Sequence, residues 1–429
     1  MSLTEPQLIR SLTESVAETL TDSRIQGDEQ IRPSADDELR LARDAASAEL
    51  ARYMASRSVD AWPPIDEEDV VRQVVARVLG LGGLEALLAD PDISDIHIRG
   101  HDSVWVKLRD GRRERRAPIV ESDDELIALI RRAGVRLSRT EQRFDAACPE
   151  LNMQLPDGSR LFAVMDVSTR PSLIIRRHRF ELSSLDELRS LDVLDHEIQS
   201  LLRAMVRAKR NIVIAGGTGS GKTTLLRALI NEVPPTERIV TIEDAYELGI
   251  EHFSDRHPDY DALQSRQANI EGHGEISLAD LTRMALRMDP DRVIVGEVRG
   301  AEAFPMLLAM SQGNNGSMCT MHADGARSVF PKLAAYVSMA STGLPVETVN
   351  VLVASALHFV VFIENVDGRR RIASICEVVG TDGNNIVSNE VVSRSSTGVI
   401  NWPFPLRTAT HEMLAQHGFE HDEVVLSRR

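Results

Sequence analysis

The chain has 429 residues with 49 Lys plus Arg against 65 Asp plus Glu, a net charge of −16, and so acidic a balance argues against a dedicated DNA-binding protein. Its three cysteines, Cys148, Cys319 and Cys376, are scattered and odd in number, which excludes a disulfide framework and, with no C-x-x-C pair, a zinc ribbon. Apolar residues make up 42% but aromatics only 4%, so the length allows two or three domains with aliphatic cores.

Residues 1–35 are acidic with little periodicity and predict a mobile tail. The first residues, MSLTEPQLIR, lack the apolar core of a signal peptide. A helical region is expected over 36–88. Leu39, Leu41, Ala45, Leu50 and Met54 recur at near-helical spacing over 36–56, AWPP at 61–64 breaks the chain, and a second helix is predicted over 67–79. A small α/β domain is expected over 89–184. Alternating runs at 95–99, 103–108, 160–167 and 172–177 read as strands, Asp110-Gly111 as a hairpin turn, and 123–133 as a helix. The basic segment KLRDGRRERR at 107–116 reads either as a solvated turn or as a contact for anionic lipid or nucleic acid. Residues 185–210 predict one long helix leading into a domain at 185–380, with 381–429 as a C-terminal extension. The longest apolar stretch, 351–363, contains Ser355 and His358 and is too short to cross a bilayer. A soluble cytoplasmic protein is therefore expected, touching membrane only through partners.

Residues 211–224, NIVIAGGTGSGKTT, read as an apolar strand running into a phosphate-binding loop. Gly216, Gly217, Thr218, Gly219, Ser220, Gly221, Lys222, Thr223 and Thr224 form that loop. Glycines let backbone N–H groups turn inward around phosphates, Lys222 supplies a charge for the β- and γ-phosphates, and Thr223 offers a hydroxyl to Mg2+. The following LLRALINEV has helical periodicity, which places the loop at a helix N-terminus that favours anions. The chain is expected to bind a nucleoside triphosphate, ATP. Further on, IVTIED at 239–244, VIVGE at 293–297 and GSMCTMHA at 316–323 look like buried parallel strands whose C-terminal ends carry a site. Their polar ends are Glu243, Asp244 and Glu247, then Glu297 and Arg299, then His322. Each has an alternative: the Glu-Asp pair as a helix cap or solvated turn, the histidine as a satisfied structural residue.

Taken in order, GGTGSGKTT, TIEDAYEL, ALRMDPDRVIVGEVRG and GSMCTMHADG resemble the Walker A, Asp box, Walker B and His box of the secretion-ATPase superfamily of type II secretion, type IV pili and type IV secretion. The CpaF-type ATPase of tight-adherence (Tad/Flp) pilus machines is the nearest likeness, extended by NIEGHGEIS at 269–277, LPDGSRLFAV at 155–164 and SLIIRRHRF at 172–180, and covering roughly 90–380. This resemblance implies an α/β fold, with a RecA-like P-loop ATPase domain, a smaller PAS-like α/β N-terminal domain and a helical N-terminal region. It implies a homohexamer docked from the cytoplasm on an inner-membrane platform protein, powering pilus assembly or protein secretion with ATP and Mg2+. By the same resemblance, Lys222 and Thr223 hold phosphates and metal. Glu297 is the Walker B carboxylate that orients the attacking water, with a water-mediated link to Mg2+ and with Glu243 assisting. His322 senses the γ-phosphate, Arg299 belongs to the catalytic group, and Arg160, Arg176 and Arg177 reach nucleotide from the smaller domain, the alternative for these three being a solvated strand end. Two departures stand out. The family's Gly-His-Asp-Gly before the His box is here Gly313-Asn314-Asn315-Gly316, so a second histidine contact near the phosphates is expected to be missing. The arginine-rich helix after the His box is altered to SVFPKLAAYV, with Pro331. Two alternatives follow: the ATPase of a conjugation-type DNA transfer machine, and a weakly hydrolysing nucleotide-gated scaffold.

Overall fold

The computed structural model describes residues 8–9, 11–13, 15–16, 19, 35–55, 66–78, 81, 83–137, 143–155, 157–177, 183–266, 268, 272–382, 385–395 and 397–420. The expected break at 61–64, and parts of the motifs at 172–180 and 269–277, lie outside them. The chain divides into two compact units, 1–177 and 178–429.

In the first unit, helices α1 (Ala35–Ala55) and α2 (Glu67–Val78) pack through Ala42, Ala46, Leu50, Val70 and Val74. Leu8, Ile9, Leu12 and Val16 join the same cluster at exposures of 4% or less, which corrects the expectation of a mobile tail for these residues. Their i, i+1, i+4, i+8 spacing is helical, but four apolar residues in an acidic, polar stretch left too sparse a stripe to read. After α3 (Gly83–Ala89) comes a six-stranded antiparallel sheet ordered β3-β2-β1-β6-β5-β4. Its strands are β1 (Ile93–Arg99), β2 (Ser103–Leu108), β3 (Arg113–Arg116), β4 (Glu150–Gln154), β5 (Arg160–Val164) and β6 (Ser172–Arg176). One face is apolar, with Ile96, Ile98, Val104, Val106, Leu161 and Ile175 packed against Leu126, Leu129 and Ile130 of α4 (Asp123–Leu137). The period-2 alternation of the strands meets the helical stripe of α4, and that match dictates the layer. In the basic hairpin at 107–116, Arg112 bridges Asp110 at 2.7 Å and Arg116 bridges Glu114 at 3.2 Å, while Arg115 donates to the Asp102 carbonyl.

The second unit opens with two helices where one was expected, α5 (Leu185–Ser190) and α6 (His196–Arg207). Asp192 takes a left-handed backbone, and Asp195 caps α6 by accepting from the Ile198 N–H at 2.8 Å. The buried Val193 and Leu194 between them kept the periodicity looking continuous. The nine-stranded sheet runs β15-β14-β13-β12-β7-β11-β10-β8-β9. Six strands are parallel: β7 (Ile212–Gly216), β8 (Ile239–Glu243), β9 (Tyr260–Gln264), β10 (Arg292–Val298), β11 (Met318–His322) and β12 (Phe359–Val366). Helices cover both faces. The core on one side draws on α5, α6 and α7 (Lys222–Ile230). The other draws on α8 (Leu278–Ala285), α9 (Ala303–Ser311), α10 (Val329–Met339) and α11 (Val346–Ala356). Within the expected extension at 381–429, residues 385–394 and 400–401 continue this sheet. Beyond β12 the antiparallel strands β13 (Arg369–Asp382), β14 (Asn385–Arg394) and β15 (Ile400–Asn401) are added, then α12 (Thr408–Gln416). Val391, Val392, Leu414 and Phe419 are buried in the core beside α6 and α7, and the buried Glu377 of β13 accepts from Arg407 Nε at 2.8 Å and Thr410 Oγ1 at 2.6 Å.

Candidate active site

All five residues of β7 are buried, and the chain leaves the sheet at Gly216 into the loop that opens α7. A Cβ at Gly216 would collide with the Ile363 carbonyl and with Ser220 Oγ, so only glycine lets the loop fold this tightly against β12. Gly221 caps α7 with φ of 100°, again a glycine conformation. Gly217, Thr218 and Gly219 are exposed, Ser220 is buried, and Thr223 and Thr224 lie half-buried in the first turn of α7. The tip of the loop is thus open backbone backed by a helix N-terminus, the arrangement that receives phosphate.

The Lys222 ammonium donates to Gly217 O at 2.8 Å and Gly216 O at 3.1 Å and lies 3.4 Å from His322 Nδ1. Burial lowers its pKa. His322 ends β11 directly opposite Gly216 in the parallel register, and its Nε2 lies 2.9 Å from Glu297 Oε1 on β10. Lysine is only a donor, so Nδ1 accepts and Nε2 carries the proton toward the carboxylate. Lys222, His322 and Glu297, taken from three adjacent elements, form one polar line across the strand ends. Lys332 of α10 holds the His322 carbonyl at 2.8 Å, and Thr320 Oγ1 donates to Gly296 O at 2.6 Å. Sequence reading had given neither residue a role.

Glu243 ends β8 and is 3% exposed. Its Oε1 accepts from the N–H groups of Glu247 and Leu248 at 2.9 and 2.8 Å, while Oε2 is buried with no hydrogen-bond partner. Burial pushes its pKa up to about 8. Its side chain lies against Gly296, next to Glu297. Arg299 forms an ion pair with Asp244, tying the ends of β8 and β10 together. Asp244 also accepts from Ser265 Oγ at 2.7 Å.

Arg160, Arg176 and Arg177 belong to the first unit. Arg160 and Arg176 face each other across β5 and β6, Arg176 lies 3.4 Å from Asp95, and Arg177 is held by the carbonyls of Asp90 and Ile93.

The Asn314-Asn315 departure is not at the phosphate end of the sheet. Asn314 Nδ2 donates to Pro290 O at 2.6 Å, and the neighbouring Gly316 N–H donates to Asn211 Oδ1 at 2.8 Å. Since Met318 pairs with Ile212 and His322 with Gly216, these asparagines lie roughly 20 Å down the strand from the loop. The expected loss of a histidine contact to phosphate is therefore corrected, and the scaffold alternative loses its ground.

The donor set fits Mg2+ in company with phosphates. Thr223 offers a hydroxyl, and Ser220 Oγ, beside Gly216, is a buried oxygen without a hydrogen-bond partner. Among the described residues no cluster of three or more His, Cys, Asp or Glu is arranged to hold a metal alone.

A parallel sheet with a glycine-rich phosphate loop at its central strand and acidic and histidine ends on the neighbouring strands defines a RecA-like P-loop ATPase. The description "Type II/IV secretion system protein" matches residues 79–396. A putative conjugal transfer protein of Mycobacterium tuberculosis H37Rv is 35% identical over 323 residues, covering 73% of this chain and 88% of its own. The type IV secretion system protein PtlH of Bordetella pertussis is 32% identical over 329 residues, covering 69% and 93%. Among solved structures, the Brucella suis VirB11 ATPase of a type IV secretion system, in complex with sulphate, shares 28% identity with coverage of 69% and 95% and a TM-score of 0.37. The Legionella pneumophila ATPase DotB, at 21% identity and a TM-score of 0.50, covers 69% and 79% and is alike in fold. The chain belongs to the Type II/IV secretion system protein family and is a motor ATPase of the secretion and pilus class. No helix among the described residues is long and apolar enough to cross a membrane.

Proposed function

We propose that this ATPase drives a tight-adherence (CpaF-type, Tad/Flp) pilus machine as a homohexamer, docked from the cytoplasm on an inner-membrane platform protein. The observation that carries the reading is the line Lys222–His322–Glu297, with contacts of 3.4 and 2.9 Å. It couples the residue that meets the β- and γ-phosphates to the carboxylate that handles water. Thr223 would hold Mg2+ with the phosphates, and that ion supplies charge neutralisation during phosphoryl transfer. Glu297 orients the attacking water, His322 reports the γ-phosphate to it, and Glu243 supports Glu297 from behind Gly296. Arg299 keeps the two strand ends in place through Asp244. Arg160, Arg176 and Arg177 contribute positive charge from the N-terminal domain, 89–184, to the nucleotide of the motor domain, so that ATP draws the domains together and hydrolysis releases them.

The name of the mycobacterial relative favours a second reading, service in a conjugation-type DNA transfer machine. DNA-stimulated turnover would mark it, and the net charge of −16 weighs against direct DNA binding. The principal test is Mg2+-dependent ATP hydrolysis measured against protein concentration. A per-subunit rate that climbs with concentration, and vanishes in Glu297→Gln while ATP binding persists, is expected. Retained turnover in that variant would remove Glu297 from its role.

A further inference from the structure

The strands β12 and β13 form a hairpin that turns at Asp367-Gly368, on the opposite side of β7 from β11. This hairpin is packed directly on the phosphate loop. The Ile363 carbonyl closes the space over Gly216, and Arg370 Cδ lies 3.1 Å from where a Cβ at Gly221 would stand. Arg370 Nε donates to the Gly219 carbonyl at 3.3 Å. No carboxylate among the described residues pairs with Arg370, whereas its neighbour Arg371 is bound to Glu364 at 2.9 Å. A guanidinium presents five N–H donors in a planar fork suited to phosphate. Here one of them is spent on the Gly219 carbonyl. The other four, on the terminal nitrogens, make no hydrogen bond among the described residues.

We propose that Arg370 is a further nucleotide-binding residue of this ATPase, supplying in cis a second cation beside Lys222 to the polyphosphate of the bound nucleotide. The proposal rests on the nucleotide-site reading above and adds a residue from the side of the loop opposite His322 and Glu297. The physical logic is direct. Arg370 stands on a strand of the central sheet, so its position is set by backbone pairing rather than by a mobile loop. Its Nε bond also ties the Gly219 carbonyl to the strand, which fixes the guanidinium against the loop. Lys222 is buried and Arg370 exposed, and both donate to carbonyls of the same loop.

The test uses the full-length chain and displacement of a fluorescent ADP by AMPPNP, ADP and AMP with Mg2+. Arg370→Gln is expected to weaken AMPPNP about tenfold and AMP less than twofold, since the lost charge acts on the terminal phosphates. Arg370→Lys should hold AMPPNP within about threefold of wild type, and Arg369→Gln should leave it unchanged. The proposal is overturned if Arg370→Gln binds AMPPNP like wild type. It is overturned equally if that variant weakens AMP and AMPPNP by the same factor, because the side chain would then act only on loop shape. Lys222→Ala separates the two readings: wild-type AMPPNP affinity in that variant would overturn the phosphate-loop site itself, and lost affinity would leave the Arg370 result to stand alone.

Discussion

Glu243→Gln should flatten the pH dependence of stability of the second unit. Glu243 is buried, two backbone N–H groups meet one of its oxygens, and the other oxygen meets nothing. Burial therefore raises its pKa from 4.5 to about 8. A raised carboxyl pKa favours the protonated native state, so its contribution is fully present below pH 4.5 and is lost as pH rises through about 8. At 1.36 kcal/mol per pH unit the whole interval amounts to on the order of 5 kcal/mol, and the practical window from pH 5.5 to 8 to roughly 3 kcal/mol. Glutamine keeps an acceptor for the Glu247 and Leu248 N–H groups and does not titrate. Urea unfolding followed by Trp402 fluorescence reads the second unit alone once Trp62 and Trp105 are replaced by Phe. Wild-type stability minus Glu243→Gln stability should fall by roughly 3 kcal/mol across that window. Parallel curves, or a difference that grows with pH, would refute the reasoning and mean that Glu243 is ionised in the native protein.

Two further outcomes are expected. Gly216→Ala should abolish ATP binding, as read by the same fluorescent ADP, because the added methyl group collides with both the Ile363 carbonyl and Ser220 Oγ and so must push the loop out of place. Glu377→Ala removes the buried acceptor of Arg407 and Thr410; since Arg407 is partly exposed, the cost should be about 2–3 kcal/mol, below the usual range for breaking a fully buried pair, and should appear as a lower urea midpoint.

What could be read from sequence follows the range of the forces involved. The phosphate loop was legible because phosphate chemistry demands fixed residue types at fixed spacing within nine positions. Strands β7, β8, β10 and β11 were legible because burial on both faces leaves an unbroken apolar run. Strand β9, YDALQ, is half-buried at every position and carries no such run, so it went unseen at the sheet edge. The distance of Asn314, ahead of β11, from the phosphate loop is a matter of register, which no local pattern contains. Arg370 meets Gly219 across 151 residues, a pairing that no local pattern contains. Leu8, Ile9, Leu12 and Val16 bury themselves only because α1 and α2 offer a partner face.

Asn211 sits one residue before β7, fully buried, at the far end of the strand from the phosphate loop. Its amide nitrogen reaches the carbonyls of Met310 at 2.9 Å and Ala356 at 2.6 Å, its amide oxygen takes the N–H groups of Gly316 and Ser317, and its backbone N–H meets the neutral His358 at 2.9 Å. One side chain thereby sets a common zero for β7, β11 and β12. A strand has a period of two, so a slip of one residue at that zero would turn His322 to the opposite face of the sheet from Lys222 and Glu297. The alignment of Lys222, His322 and Glu297 to within a hydrogen bond is thus a measurement made some five residues away, with β7 and β11 serving as rulers cut to equal length.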